Sequence, residues 1–98
     1  MARIELAPEI ADDLDRIFDH LAQHAVADAA APIRQIIDAI SVLEGNPLIG
    51  RPAGRDQREL VIGKRSQGYV ALYRYAAAID TVFVLALRGQ REAGYTHE

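Results

Sequence analysis

The last residues of the chain, LRGQREAGYTHE (87–98), bring Arg88, Arg91 and Tyr95 into one short stretch directly after an apolar run. Two kinds of chemistry use such a set. Cutting RNA by attack of its 2′-hydroxyl needs a base, an acid and positive charge on the developing phosphorane. Docking on a macromolecule needs less: the hydrogen-bonding fork of arginine and the contact area of tyrosine, held at low entropic cost. Other charged groups lie in the turn GKRSQG, where Lys64 and Arg65 stand side by side. A lysine or arginine serves as a base only when burial depresses its pKa, and a turn is not buried. A free tyrosine titrates near about pH 10, so Tyr95 alone is also a weak base.

The remaining candidates are structural on their residue types. His20 and His24 have the i,i+4 spacing of a metal pair, but no neighbouring acid supplies a third ligand, and no metal or cofactor site is read. His97 stands at a terminus that is expected to fray. Glu59, next to Arg58, is expected in an ion pair. Arg74, between Tyr73 and Tyr75, is expected on a sheet face, paired with Asp80 or Glu59. Arg51, Arg55 and Arg58 flank a loop and are expected to be solvated.

These groups need a scaffold of modest size. Ninety-eight residues make one domain, spanning 1–98, and can bury roughly 60–70% of the unfolded surface. Cysteine is absent, which excludes a disulfide framework and fits a reducing compartment. No apolar run has the length of a membrane span and MARIELAPE has no secretory pattern, so the cytoplasm is the expected location. The net charge of −3 hides an asymmetry: residues 1–50 carry three basic against nine acidic side chains, and residues 51–98 carry eight against five. That split predicts an acidic face and a basic face. With a pI near 5.5 and no aromatic platform between the basic residues, direct nucleic-acid binding is disfavoured.

Patterning supplies the elements. ARIEL alternates as a short strand. Pro8 suits a helix start, and Glu9, Asp12 and Asp13 load the first turns with the charge a helix N-terminus favours. Ile10, Leu14, Ile17, Phe18 and Leu21 define an amphipathic helix over residues 8–24. A second helix, with Ile33, Ile36, Ile37, Ile40 and Leu43 on one face, starts near Ala29 with Asp28 as N-cap. It stops at EGNP, where Gly45 suits a left-handed cap. Phe18 and Ile37 are expected in the core, so that Phe18→Ala costs about 3–5 kcal/mol. LIGRPAGRDQ reads as a loop. RELVI, YVALYRY and TVFVLAL read as strands with hairpin-length connections, and TVFVLAL, apolar on both faces, belongs centrally in the sheet. The fold class is α+β in the order β-α-α-β-β-β, with a helix hairpin packed on one face of a mainly antiparallel sheet.

The order and spacing of several segments resemble the RelE/ParE superfamily of toxins from type II toxin–antitoxin modules. They are Pro8 at the first helix, the NPLIGRP loop, REL before the second strand, GYVALYRY, and VFVLALRGQREAGY. The likeness covers nearly the whole chain. It implies neutralisation by a cognate ParD-like antitoxin, whose amphipathic, acidic C-terminal segment orders on binding. It also implies one of two targets. RelE-like members cleave mRNA on the ribosome, and ParE-like members inhibit DNA gyrase without cutting. The R-x-x-x-Y spacing of Arg91 and Tyr95 matches the RelE-like tail, where the arginine stabilises charge and the tyrosine aids proton transfer or stacking. An arginine follows the aromatic of the GY pair in RelE-like sequences, and here that position is Val70. A histidine is implied where this chain has Gly89. Such a nuclease would have to work with Arg91, Tyr95, Lys64 and Arg65 alone. The expectation is therefore a ParE-like gyrase inhibitor with no catalytic residue, contacting its target through Arg65, Arg74, Arg88, Arg91 and Tyr95. The alternatives are a ribosome-dependent endoribonuclease and a non-toxic remnant that only binds antitoxin.

Overall fold

The computed structural model describes residues 1–24, 27–64 and 67–96. Strand β1 (Arg3–Leu6) leads into helix α1 (Glu9–Gln23) and helix α2 (Ala30–Ser41), which a 3-10 turn extends over Val42–Glu44. Strands β2 (Arg51–Pro52), β3 (Gln57–Ile62), β4 (Tyr69–Ala76) and β5 (Thr81–Gly89) complete the chain. They form one sheet in the order β1-β5-β4-β3-β2. Only β1 and β5 run parallel; the other pairs are antiparallel. β2 is a two-residue strand inside the segment expected to be loop. β5 is interior as its apolar pattern predicts, but the middle place belongs to β4. Among the described residues no helix is long and apolar enough to cross a membrane.

α1 lies on β5 and α2 against β3, so both helices cover one face. Ile10, Ile17, Ile36, Ile40 and Leu43 pack there against Ala71, Tyr73, Val82, Val84 and Leu87. Phe18 and Ile37 are not in this core: they are 43% and 51% exposed. Helical geometry explains the correction. At about 100° per residue, Phe18 stands roughly 70° from the centre of the stripe formed by Ile10, Leu14, Ile17 and Leu21. Ile37 is offset in the same way from Ile33, Ile36 and Ile40. The position on the buried side of the α1 stripe is taken by Asp13, which is 0% exposed.

The helix ends also differ from expectation. Asp28 does not cap α2; it pairs with Arg34 at 3.1 Å, and Ala29 occupies the cap position without a side-chain bond. Gly45 is right-handed (φ −99°), because the 3-10 turn ends the helix without a left-handed residue. The loop after it is fastened from beneath. Arg58 donates to the carbonyls of Leu48 (3.2 Å) and Gly50 (2.7 Å), so it is not a solvated loop arginine. The Gly50 N–H donates to the buried Tyr73 hydroxyl at 2.8 Å. A side chain at Gly50 would put its Cβ 2.7 Å from the Tyr73 ring, which accounts for the glycine of NPLIGRP.

Candidate functional site

The C-terminal stretch begins where β5 outruns β1. Their register ends at Leu6 opposite Val84. An irregularity opposite Leu72 and Tyr73 then shifts β5 by one residue. Beyond it, Leu87 turns its N–H and carbonyl to the edge that β1 leaves uncovered. Two side chains of α1 take the place of the missing strand. The Leu87 N–H donates to Asp13 Oδ2 at 2.9 Å, and Arg16 Nη2 donates to the Leu87 carbonyl at 3.1 Å. Arg16 also bonds Asp13 Oδ1 at 2.6 Å and the Glu92 carboxylate at 3.0 and 3.2 Å. Burial disfavours the charged guanidinium, but hydrogen bonds and charges from Asp13 and Glu92 prevail, and the Arg16 pKa is raised. Asp13 satisfies a buried backbone donor that would otherwise carry a desolvation penalty. In the sequence Asp13 stands out only as favourable charge near a helix start. Its position with Ile10, Leu14 and Ile17, at i, i+3, i+4 and i+7, was the available signal that it faces inward.

Past Gly89 the chain turns around the end of the sheet. The Gln90 N–H donates to the Gly68 carbonyl (3.0 Å) and the Glu92 N–H to the Gly89 carbonyl (3.1 Å). Glu92 meets α1, whereas Tyr95 reaches the sheet face opposite the helices. There the Tyr95 hydroxyl donates to Glu59 Oε2 at 2.6 Å. The Arg88 guanidinium stands 5.1 Å from the centre of the Tyr95 ring and 3.8 Å from the same carboxylate. Arg51 holds the other oxygen of Glu59 at 3.0 Å. Glu59 thus makes the ion pair expected of it. It lies opposite Leu72, which lies opposite Ala86; in the same way Val61 faces Val70, and Val70 faces Arg88. Tyr95 therefore crosses β4 to reach β3. Val70, Leu72 and Ala86, on this side of the sheet, are at most 2% exposed.

Electrostatics follow from this packing. Burial raises the Glu59 pKa, but hydrogen bonds from Tyr95 and Arg51 and the charges of Arg51 and Arg88 outweigh it and hold the carboxyl below its ordinary value. Burial, the bond to Glu59 and the Glu59 charge push Tyr95 well above the ordinary phenol value, against a smaller opposing effect of Arg88. The cluster thus holds the Glu59 carboxyl below and the Tyr95 phenol above their ordinary values. What it offers is a fixed guanidinium–phenol surface.

The structure gathers some of the expected site residues and separates others. Arg88 and Tyr95 touch, and Arg91 is exposed in the turn between them. Lys64 is exposed in the β3–β4 turn at the same end of the sheet. Arg65 and His97 lie outside the described residues. Arg74 stands four residues along β4 from Val70, about 13 Å away at strand spacing. It is not paired with Asp80 or Glu59. Its guanidinium lies 4.9 Å from the centre of the Phe83 ring and 4.0 Å from Asp56, because Asp80 instead accepts the Tyr75 hydroxyl at 2.6 Å. His20 and His24 are exposed, with ring centres 4.2 Å apart, and among the described residues no group of three or more potential ligands is placed to hold a metal.

Two helices on one face of a five-stranded mixed sheet define a fold shared by toxins of toxin–antitoxin pairs. A chain of the chromosomal ParDE TA system from P. aeruginosa superposes with a TM-score of 0.75 at 21% identity, covering 91% of this chain and 96% of that one. For the intact E. coli RelBE toxin–antitoxin complex the values are 0.63 and 16%, covering 94% and 99%. For the archaeal RelE–RelB complex from Pyrococcus horikoshii OT3 they are 0.58 and 14%, covering 94% and 98%. No curated protein matches the sequence. Residues 4–94 match the family model of the ParE toxin of the type II toxin–antitoxin system, parDE, and the chain belongs to that family.

Proposed function

We propose that this ParE-family chain inhibits DNA gyrase by docking on it, without cutting nucleic acid, and that a cognate antitoxin neutralises it. The observation that carries this reading is the engagement of Tyr95. Its hydroxyl is donated to Glu59, whose carboxyl is held low, so neither group is a competent base. Where the resemblance to RelE-like nucleases calls for an arginine, the chain has Val70, 1% exposed. Arg91 and Tyr95 remain suited to recognition, with a forked donor beside a rigid aromatic. Phe18 and Ile37, apolar and half exposed on the helices, support an amphipathic antitoxin segment lying on the hairpin.

The test is supercoiling by purified gyrase. The wild-type chain should block it, and Arg91→Ala with Tyr95→Ala should restore it while leaving the circular-dichroism spectrum unchanged. Translating ribosomes given the wild-type chain should keep their mRNA intact. Cleavage of that mRNA with normal supercoiling would transfer the function to the RelE-like nuclease reading. Inertness in both assays, with copurification of the protein encoded alongside, would leave an antitoxin-binding remnant. Failure to copurify with that neighbour would count against the antitoxin.

A further inference from the structure

We infer that Glu59 is a positioning residue for the docking surface: it sets Tyr95 and Arg88 in the arrangement that meets the target. The inference rests on the docking function proposed for the C-terminal stretch, and it assigns to β3 a role in a site formed otherwise by β5 and its extension.

Three donors converge on one carboxylate. Tyr95 bonds Oε2 at 2.6 Å, Arg51 bonds Oε1 at 3.0 Å, and Arg88 is 3.8 Å from Oε2. Without this carboxylate the Tyr95 hydroxyl loses its bond to β3 and is left to Arg88, which is itself paired with Glu59. Arg88 would also lose the anion that, with the Gly89 and Glu92 carbonyls at 3.2 and 3.4 Å, fixes its guanidinium under the Tyr95 ring. The segment is held at two points: Glu92 by Arg16 at 3.0 Å on the helix side, and Tyr95 by Glu59 at 2.6 Å on the opposite side. Arg91 stands directly before the first of these anchors, next to Gln90, whose N–H bonds the Gly68 carbonyl at 3.0 Å. A short exposed segment left untied would sample many conformations, and binding would have to pay for ordering it; two anchors remove most of that cost beforehand. Glu59 is well suited to this because it is itself rigid, standing in the middle of β3 with a side chain only 16% exposed.

The experiment uses the full chain with ¹³C-labelled tyrosines. Four tyrosines are present and tryptophan is absent, and the Tyr95 resonance is assigned by its loss in Tyr95→Phe. In Glu59→Gln the charge is gone while the side-chain shape is kept. Tyr95 should then titrate closer to the ordinary phenol range than in wild type. Half-inhibition of gyrase should need roughly tenfold more protein, the size of one charge-assisted hydrogen bond. Tyr95→Phe, which removes only the hydroxyl, should lose about as much, and the double variant should be little worse than either, because both act on one contact. An unmoved Tyr95 titration in Glu59→Gln overturns the inference. So does full inhibition by a variant whose Tyr95 has been released, or strict additivity of the two losses. Gyrase that ignores the wild-type chain sinks the docking reading itself; wild-type inhibition with an indifferent Glu59→Gln sinks only the role of Glu59.

Discussion

Replacing Asp13 by alanine removes the acceptor of the Leu87 N–H and one of the two carboxylates that hold Arg16. The orphaned N–H lies in the core side of β5, where an unpaired donor costs about 1–3 kcal/mol. Breaking one side of a fully buried ion pair costs about 3–5 kcal/mol. Here the Arg16 side chain is 32% exposed and keeps Glu92, so solvent screening reduces that part to roughly 1 kcal/mol. Together the loss is about 3 kcal/mol, a large share of the roughly 5–15 kcal/mol that stabilises a small domain. With a urea slope of about 1–3 kcal/mol/M, the unfolding midpoint should fall by at least about 1 M. Asp13→Asn keeps an oxygen for Leu87 and loses only the charge, so it should cost about 1 kcal/mol. Hydrogen exchange at the Leu87 amide should accelerate markedly in the alanine variant and little in the asparagine variant. A midpoint moved by less than about 0.3 M in Asp13→Ala, with the Leu87 amide still protected, would refute the view that α1 replaces a missing strand at this edge.

Phe18→Ala should cost less than about 1 kcal/mol because the ring is 43% exposed, whereas Ile36→Ala, from a fully buried site, should cost about 2–5 kcal/mol; equal urea midpoints would contradict the burial described. Gly68→Ala would drive a Cβ into the Ile62 carbonyl and within 2.9 Å of the Gln90 side chain, so it should destabilise the β3–β4 turn and shift the Gln90 amide resonance; wild-type stability would contradict this close packing. Glu59 has a folded pKa below its ordinary value, so its stabilising contribution is present above about pH 4.5 and is lost as the pH falls through the folded value. Wild type should accordingly lose its stability advantage over Glu59→Gln on acidification below about pH 4.5, and an advantage that persists at pH 2 would contradict the assigned sign. Tyr95 has the opposite linkage: its contribution is full below about pH 10 and fades only above it, which Tyr95→Phe should abolish in alkaline unfolding.

Much of this fold is written locally. The 3.6-residue stripe of α1, the Pro8 start, the stop at Asn46–Pro47 and the alternation in β3 and β4 each depend on neighbours a few residues apart, and the observed boundaries lie within a residue or two of the pattern. Burial at the edge of a stripe is less local. Phe18 and Ile37 are apolar and nearly in phase, yet which side of a helix is covered depends on where the sheet and the other helix end. The same indeterminacy hid Asp13. A carboxylate on the apolar face makes sense only once the sheet register shows that β1 stops opposite Val84 and leaves the Leu87 backbone in need of partners.

The candidate site divides along the same line. Arg88, Arg91 and Tyr95 share a short stretch, and their residue types alone indicate recognition more than proton transfer. Sequence spacing could not indicate that Tyr95 folds over β4 to a carboxylate 36 positions away, that Arg16 grips Glu92 across 76 positions, or that Arg74 belongs to a different part of the sheet. Those pairings are fixed by strand order and by which face each side chain leaves, quantities that exist only after the chain has closed. The amino-acid sequence by itself determined the elements, their order and the chemical character of the C-terminal stretch, because these follow from short-range periodicity and residue type. The tertiary structure alone decided which acids hold that stretch in place, because hydrogen bonds of this kind form between atoms that only the assembled sheet brings within about 3 Å.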